Sequence, residues 1–264
     1  MATSAQAADL AARYVKAPAA AVGAAWDWSG FYLGGDLGGV AQSTANGRSD
    51  FFQPAGVFAN NPQTQAPSSS AVIGGVHAGY NWQMSHLVVG VEGDWQWTNA
   101  NYSFCRQTDK RSLACSDNRF GFISIDSETR AIGTIRGRLG YAFDRVLIYG
   151  TGGVAFADLR ANITADCRVA GCGAFGITNL TSGNSSMIRT GWVAGAGAEW
   201  MLSPNWIVRS EYLHVDVGSV SDTLNLAPKN CDAPCGASWS RSYRYDIGRI
   251  GFSYKFGGPA AAAN

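Results

Sequence analysis

The side chains of this sequence that could do chemistry alternate with large apolar ones. Glu92, Asp94 and Gln96 interleave with Val91, Trp95 and Trp97, and Arg136 and Arg138 interleave with Ile135, Leu139 and Tyr141. Glu199 falls between Ala198 and Trp200, Arg209 and Glu211 oppose Val208 and Tyr212, and Arg249 opposes Ile250. Asp36 and His77 are expected on the same face. On an extended chain a period of two sends the charges to one side and the rings to the other. The acids Asp36, Glu92, Asp94, Glu199 and Glu211 stand against Arg136, Arg138, Arg209 and Arg249, five against four. A nearly balanced set of this kind suits a packed ionic network, because a charge removed from water needs a partner. The rival chemistry is a thin, gateable path for ions.

Other reactive groups do not assemble into a catalytic pattern. No Gly-x-Ser-x-Gly elbow occurs, and the chain has 3 His. His214 and Asp216 lie close together near a strand end and read as an ordinary rim pair. Gly150-Thr-Gly-Gly153 and Gly195-Ala-Gly-Ala198 lack the Lys-Ser/Thr and the following helix of a phosphate loop, so curved strands explain their glycines. His77 or His86 as a haem ligand lacks a second axial residue. The expectation is no enzyme, no cofactor and no metal.

The 6 cysteines fall as three close couples, Cys105/Cys115, Cys167/Cys172 and Cys231/Cys235. In an oxidising compartment each couple could close a local disulfide, although six cysteines allow many other pairings. Zinc is the alternative, but these segments offer no neighbouring His and no Cys-x-x-Cys.

The elements that would position these groups are eight alternating segments. They run from about Trp28 to Val40, Ala71 to Gln83, Leu87 to Thr98, Thr129 to Phe143, Val146 to Leu159, Ile188 to Leu202, Trp206 to Gly218 and Tyr243 to Phe256. The links at Met84-Ser85-His86, Asp144-Arg145 and Ser203-Pro204-Asn205 are short enough for hairpins. Those at 41–70, 99–128, 160–187 and 219–242 are long and rich in Ser, Asn, Gly, Pro and Asp. All three cysteine couples fall in long loops and none in a strand. Trp82, Tyr141, Phe143, Trp200, Trp206, Tyr254 and Phe256 mark the short-turn end, with Trp28 and Phe31 expected at the same level. Rings at one level are the signature of a membrane–water girdle.

The predicted architecture is therefore all-β: an eight-stranded antiparallel up-and-down transmembrane barrel with short periplasmic turns and four long extracellular loops. Eight strands leave an interior that side chains fill, which favours the network over the ion path. With 33 glycines, 15% charged residues and a net charge of +1, the composition offers no basic face for nucleic acid. No apolar run is long enough for a transmembrane helix, which says nothing against strands of ~9–11 residues. Residues 1–7 read as a signal-peptide remnant, because Ser4-Ala-Gln-Ala7 before Ala8-Asp9 has a small-x-small cleavage pattern. Residues 8–27 read as a flexible Ala/Pro arm, 28–256 as the barrel and 257–264 as a flexible tail.

Ala8-Asp-Leu-Ala-Ala-Arg13, Trp28-Ser-Gly-Phe-Tyr-Leu-Gly-Gly35, Gly79-Tyr-Asn-Trp82 and Val89-Gly-Val-Glu-Gly-Asp94 resemble alphaproteobacterial outer-membrane immunogenic proteins. Gly137-Arg-Leu-Gly-Tyr141, Tyr149-Gly-Thr-Gly-Gly-Val-Ala-Phe156 and Gly191-Trp-Val-Ala-Gly-Ala-Gly-Ala-Glu199 extend the likeness over nearly all strands. The resemblance to this opacity-like porin family implies an OmpA-like barrel exported through the periplasm to a Gram-negative outer membrane. It implies contact with outer-membrane lipids and lipopolysaccharide, with protein partners reached through the outer loops or within a larger membrane assembly. It also implies a surface-exposed role in envelope integrity; haem binding has been proposed for some members. Cysteine-paired loops and a tail beyond Phe256 depart from the family pattern. The resulting expectation is a structural envelope barrel and surface interaction platform with disulfide-stapled loops, and the alternative is a narrow porin-like channel for ions or small solutes.

Overall fold

Alternation is strong enough here to dictate strands almost everywhere, and the backbone follows it. A computed structural model describes residues 26–43, 47–53, 56–63, 69–107, 122–166, 180–226 and 235–256. The strands are β1 (Gly30–Ser43), β2 (Gly47–Gln53), β3 (Gly56–Gln63), β4 (Ser69–Met84) and β5 (Leu87–Gln107). They continue as β6 (Phe122–Phe143), β7 (Val146–Asp166), β8 (Leu180–Met201), β9 (Trp206–Leu226) and β10 (Cys235–Lys255). There are no helices among the described residues.

Strands β1 and β4 to β10 pair in sequence, and β1 pairs β10 to close the ring, giving an eight-stranded antiparallel barrel. Closure removes the free edges that an open sheet would present, which lipid could not satisfy. Tight turns at Ser85 and Asp144, both with positive φ, close the β4–β5 and β6–β7 hairpins.

Two features differ from the sequence reading. Six of the barrel strands, β5 to β10, run further from the short turns than expected, so that Cys105 lies within β5 and Cys235 opens β10. The expectation that no cysteine falls in a strand is therefore corrected for the backbone of these two residues. Beyond the membrane the outward face turns polar, as at Asp158, Arg160 and Asn162 of β7 beside the buried Leu159 and Ala161, so the inside-out contrast is lost although the hydrogen-bonded ladder continues. The stretch assigned to the first long loop also contains β2 and β3, a hairpin paired to the outer part of β10.

The wall is inside-out relative to a soluble barrel. In β6, Ile135 is 64% exposed while the adjacent Arg136 is 2% exposed. Outward residues remain mostly apolar from Phe256 to Gly248 on β10, where Asp246 and Arg244 follow, and from Val146 to Phe156 on β7, where Asp158 follows. About ten residues of tilted strand give a band roughly 25 Å tall, the height of a lipid-facing belt.

Candidate functional site

Along β9 the inward series is Ile207, Arg209, Glu211, Leu213, Val215 and Val217, all buried. Along β10 it is Lys255, Ser253, Gly251, Arg249, Ile247, Tyr245 and Tyr243. The lumen is thus layered: an apolar floor at the turn end, an ionic middle and an apolar upper part. The floor comprises Trp28, Val88, Ala142, Leu147, Tyr149, Met201 and Ile207. The upper part includes Val40, Ile73, Ile132, Leu213, Val215 and Ile247. Rigid strands hold these side chains at fixed heights, because successive inward residues are two positions apart.

The middle layer brings together the charges read from the sequence. Arg136 reaches Glu211 Oε1 at 2.9 Å and Asp94 Oδ2 at 2.8 Å, and also pairs with Glu92. Arg209 grips both oxygens of Asp36 at 2.9 Å and donates to Glu92 Oε2 at 2.7 Å. Arg249 donates to Glu211 Oε2 at 2.9 Å and lies 3.3 Å from Asp94 Oδ1. Arg138 donates to Glu199 Oε1 at 2.6 Å and sits 3.2 Å from Glu92 Oε2. These side chains are almost completely buried, so the pairs are charge-assisted hydrogen bonds in a dry environment. Gly251 makes room for the Arg209–Asp36 pair: a Cβ there would collide with Asp36 Oδ1 and the Arg209 side chain.

Several members are absent from the sequence reading. Tyr32 OH donates to Glu92 Oε2 at 2.7 Å while accepting from Arg138 Nη1, and Tyr149 OH donates to Glu211 Oε1 at 2.8 Å. Arg138 also lies over the Tyr149 ring, 4.0 Å from its centroid. Their register parity, shared with the charges, was the available signal; their aromatic character pointed to the lipid face instead.

Asp36 Oδ2 accepts from His77 Nδ1 at 2.8 Å, and His77 Nε2 lies 2.7 Å from Ser253 Oγ. This Ser-His-Asp chain was not legible because Ser253 is one small polar residue among many. Its members are tied into the ionic layer and the barrel wall. Arg209 clamps the carboxylate, and Ser253 sits in a ladder between β1 and β9 that engages the neighbouring backbone amides an oxyanion would need. The trio instead joins three strand segments at the lower edge of the ionic layer.

On the outside, Trp82, Tyr141, Phe143, Trp200, Trp206, Tyr254 and Phe256 all face away from the lumen at the short-turn end, as does Phe31. Trp206 and Tyr254 pack edge-on with ring centroids 5.0 Å apart. Trp28 does not join them. It turns inward and is 0% exposed, so its expected place in the girdle is corrected. At the opposite rim, His214 pairs with Asp246 at 2.8 Å and Asp216 with Arg244 at 2.9 Å. The side chains of Cys105, Cys115, Cys167, Cys172, Cys231 and Cys235 lie outside the described residues.

A family model for the outer membrane protein beta-barrel domain matches residues 7–256. The 31 kDa outer-membrane immunogenic protein of Brucella melitensis is 32% identical over 267 residues, covering 97% of this chain and 95% of that protein. The 22 kDa outer membrane protein of Rhizobium leguminosarum is 29% identical, covering 88% of this chain and 80% of that one. Among solved structures, OprG of Pseudomonas aeruginosa is similar with a TM-score of 0.49 and 14% identity, over 86% of this chain and 96% of that chain. This chain belongs to the outer membrane β-barrel family, beside the outer-membrane immunogenic proteins of Brucella and the 22 kDa outer membrane protein of Rhizobium leguminosarum.

Proposed function

We propose that this outer-membrane barrel is a structural component of the envelope whose closed lumen supports a surface interaction platform. The carrying observation is the ionic layer between two apolar ones, in which four arginines are neutralised by buried carboxylates. Packed apolar side chains flank the ionic layer on both sides, so water and ions would have to pass them to reach its arginines and carboxylates. With transport disfavoured, the work of the protein falls to what it displays outside. The pairs Cys105/Cys115, Cys167/Cys172 and Cys231/Cys235 would staple that display into fixed shapes, and a protein partner would read it.

Planar-bilayer recording of the purified barrel tests the closed lumen. The expected result is electrical silence, also in an Arg138→Ala variant, which should lose stability without gaining conductance. Stable unitary steps from the wild type would sink this reading. Mass mapping without reductant tests the local disulfides, and mixed pairings would remove the staple.

One observation favours the narrow channel as a second reading. Asn81 Oδ1, Gln96 Oε1 and Arg138 Nε are buried without a hydrogen-bond partner, and such groups call for internal water. Isolated waters satisfy them without a continuous path, so the closed lumen is the stronger reading.

A further inference from the structure

The floor of the lumen is not built by the barrel wall alone. The segment Trp26–Ser29 precedes β1 and crosses the mouth at the short-turn end. It leaves the wall at Gly30, whose φ of 128° is a conformation that side chains disfavour. A Cβ at Gly30 would also collide with the Phe256 carbonyl oxygen. Glycine at this point lets the chain turn in over the opening rather than continue along the strand.

Four barrel residues, from β4, the β6–β7 turn and β10, hold the segment there. The Trp28 amide donates to Gln83 Oε1 at 2.7 Å, and its indole Nε1 reaches the Asp144 carbonyl at 3.4 Å. The Gln83 amide donates to Ser29 Oγ at 3.0 Å. Lys255 Nζ donates to the carbonyls of Asp27 and Ser29, the latter at 3.2 Å. The Arg145 guanidinium covers the Trp26 ring at 4.4 Å from its centroid. Trp28 then fills the floor against Val88, Leu147, Met201 and Ile207. None of these contacts is a strand pairing. The segment is held by one buried ring and a few side-chain bonds, whereas the wall is held by continuous ladders.

We propose that Trp26–Ser29 is a releasable strap, and that Trp28 is the cork that shuts the periplasmic mouth. Local opening of such an element costs far less than opening the barrel. Release would bare Lys255 and then the orphaned Asn81 Oδ1 and Arg138 Nε just above the floor, which are ready for water. The strap extends the closed-lumen reading by naming what closes one end. The ionic layer would still block ions after release, so the two ideas fail separately.

Lys255 reports the strap directly, being buried at 2% exposure by its bonds to the strap carbonyls. The full chain, folded in detergent, is acetylated with an amine-reactive ester, and Lys255 is followed by peptide mass spectrometry. Its rate in the urea-unfolded chain is the reference. The wild type should react at least about tenfold more slowly than the reference, and Trp28→Ala should recover most of that loss. Gln83→Ala removes one anchor without touching the floor and should give an intermediate rate, which serves if Trp28→Ala does not fold. Wild-type Lys255 reacting at the reference rate would overturn the strap, as would folded variants that react no faster than wild type. Bilayer recording of the same variants reads the ionic layer alone: conductance appearing together with faster Lys255 acetylation would damage the closed lumen and leave the strap standing.

Discussion

The ionic middle of the lumen and the apolar part above it occupy the same barrel and are filled on opposite principles. In the middle, each arginine spans the lumen to carboxylates from other strands: Arg136 of β6 meets acids of β5 and β9, and Arg209 of β9 meets acids of β1 and β5. Above, Leu213, Val215 and Ile247 fill space without directional bonds. The ionic layer specifies which strand faces which, because each donor has a limited set of acceptors. The apolar layer excludes water and tolerates changes of shape. A buried ion pair adds little net stability over a hydrophobic substitute, yet removing one member is costly.

Arg136→Ala should therefore show the largest effect. It strips one cation from Glu92, Asp94 and Glu211 at once and leaves excess negative charge in a dry layer. The expected loss is about 3–5 kcal/mol, or failure to assemble, measured by urea unfolding of the folded band on unheated gels. A loss under ~1 kcal/mol would mean that water reaches the layer and that the contrast with the apolar part is false.

Phe252→Arg places the same guanidinium chemistry on the opposite face of β10. Arg249 finds Glu211 and Asp94 inside, whereas an arginine at 252 faces lipid. The variant should cost ~2–4 kcal/mol if it lies near the midplane and should impair assembly in liposomes. Wild-type assembly would reverse the assigned face of the strand.

Ile247→Val tests the tolerant layer. Ile247 is fully buried in the upper cluster, and loss of one methylene there should cost about 0.5–1.5 kcal/mol, with no change in conductance. An effect as large as that of Arg136→Ala would make the upper layer as specific as the middle one.

These two layers also mark how far the sequence was legible. Parity carried most of the lumen: Glu92 and Arg136 alternate with rings too bulky for the inside, so opposite faces in opposite solvents left a clear trace. Parity failed where that contrast disappears. The outer parts of β5 to β10 lose the row of lipid-facing apolar residues, as where Asp158 and Arg160 follow Phe156 on β7, so they read as loops although they pair as strands. Trp28 misled because aromatic character suggested the girdle, while the turn at Gly30 sent it inward. Tyr32 and Tyr149 were hidden in the same way, their hydroxyls being bound to Glu92 and Glu211. The Ser253–His77–Asp36 chain depends on three strands meeting, which no local pattern announces.

Arg244→Ala sets the lower end of the comparison. Arg244 and Asp216 form an ion pair at 2.9 Å with geometry close to that of the lumen pairs, but their side chains are 46% and 17% exposed. In the lumen the Arg136–Asp94 pair is 2.8 Å long with exposures of 0% and 1%. Chemistry and distance are matched, and water is the variable. Solvent screens the outer pair and hydrates whichever charge is left, so its removal should cost only about 0.2–1 kcal/mol. Added salt should shrink that difference further, because exposed charges are screened within roughly 10 Å at 0.1 M. The Arg136→Ala loss should hold nearly constant over the same salt range. Parallel salt dependence of the two variants would show that the ionic layer is in contact with bulk solvent, and the lumen would then have to be redrawn as open.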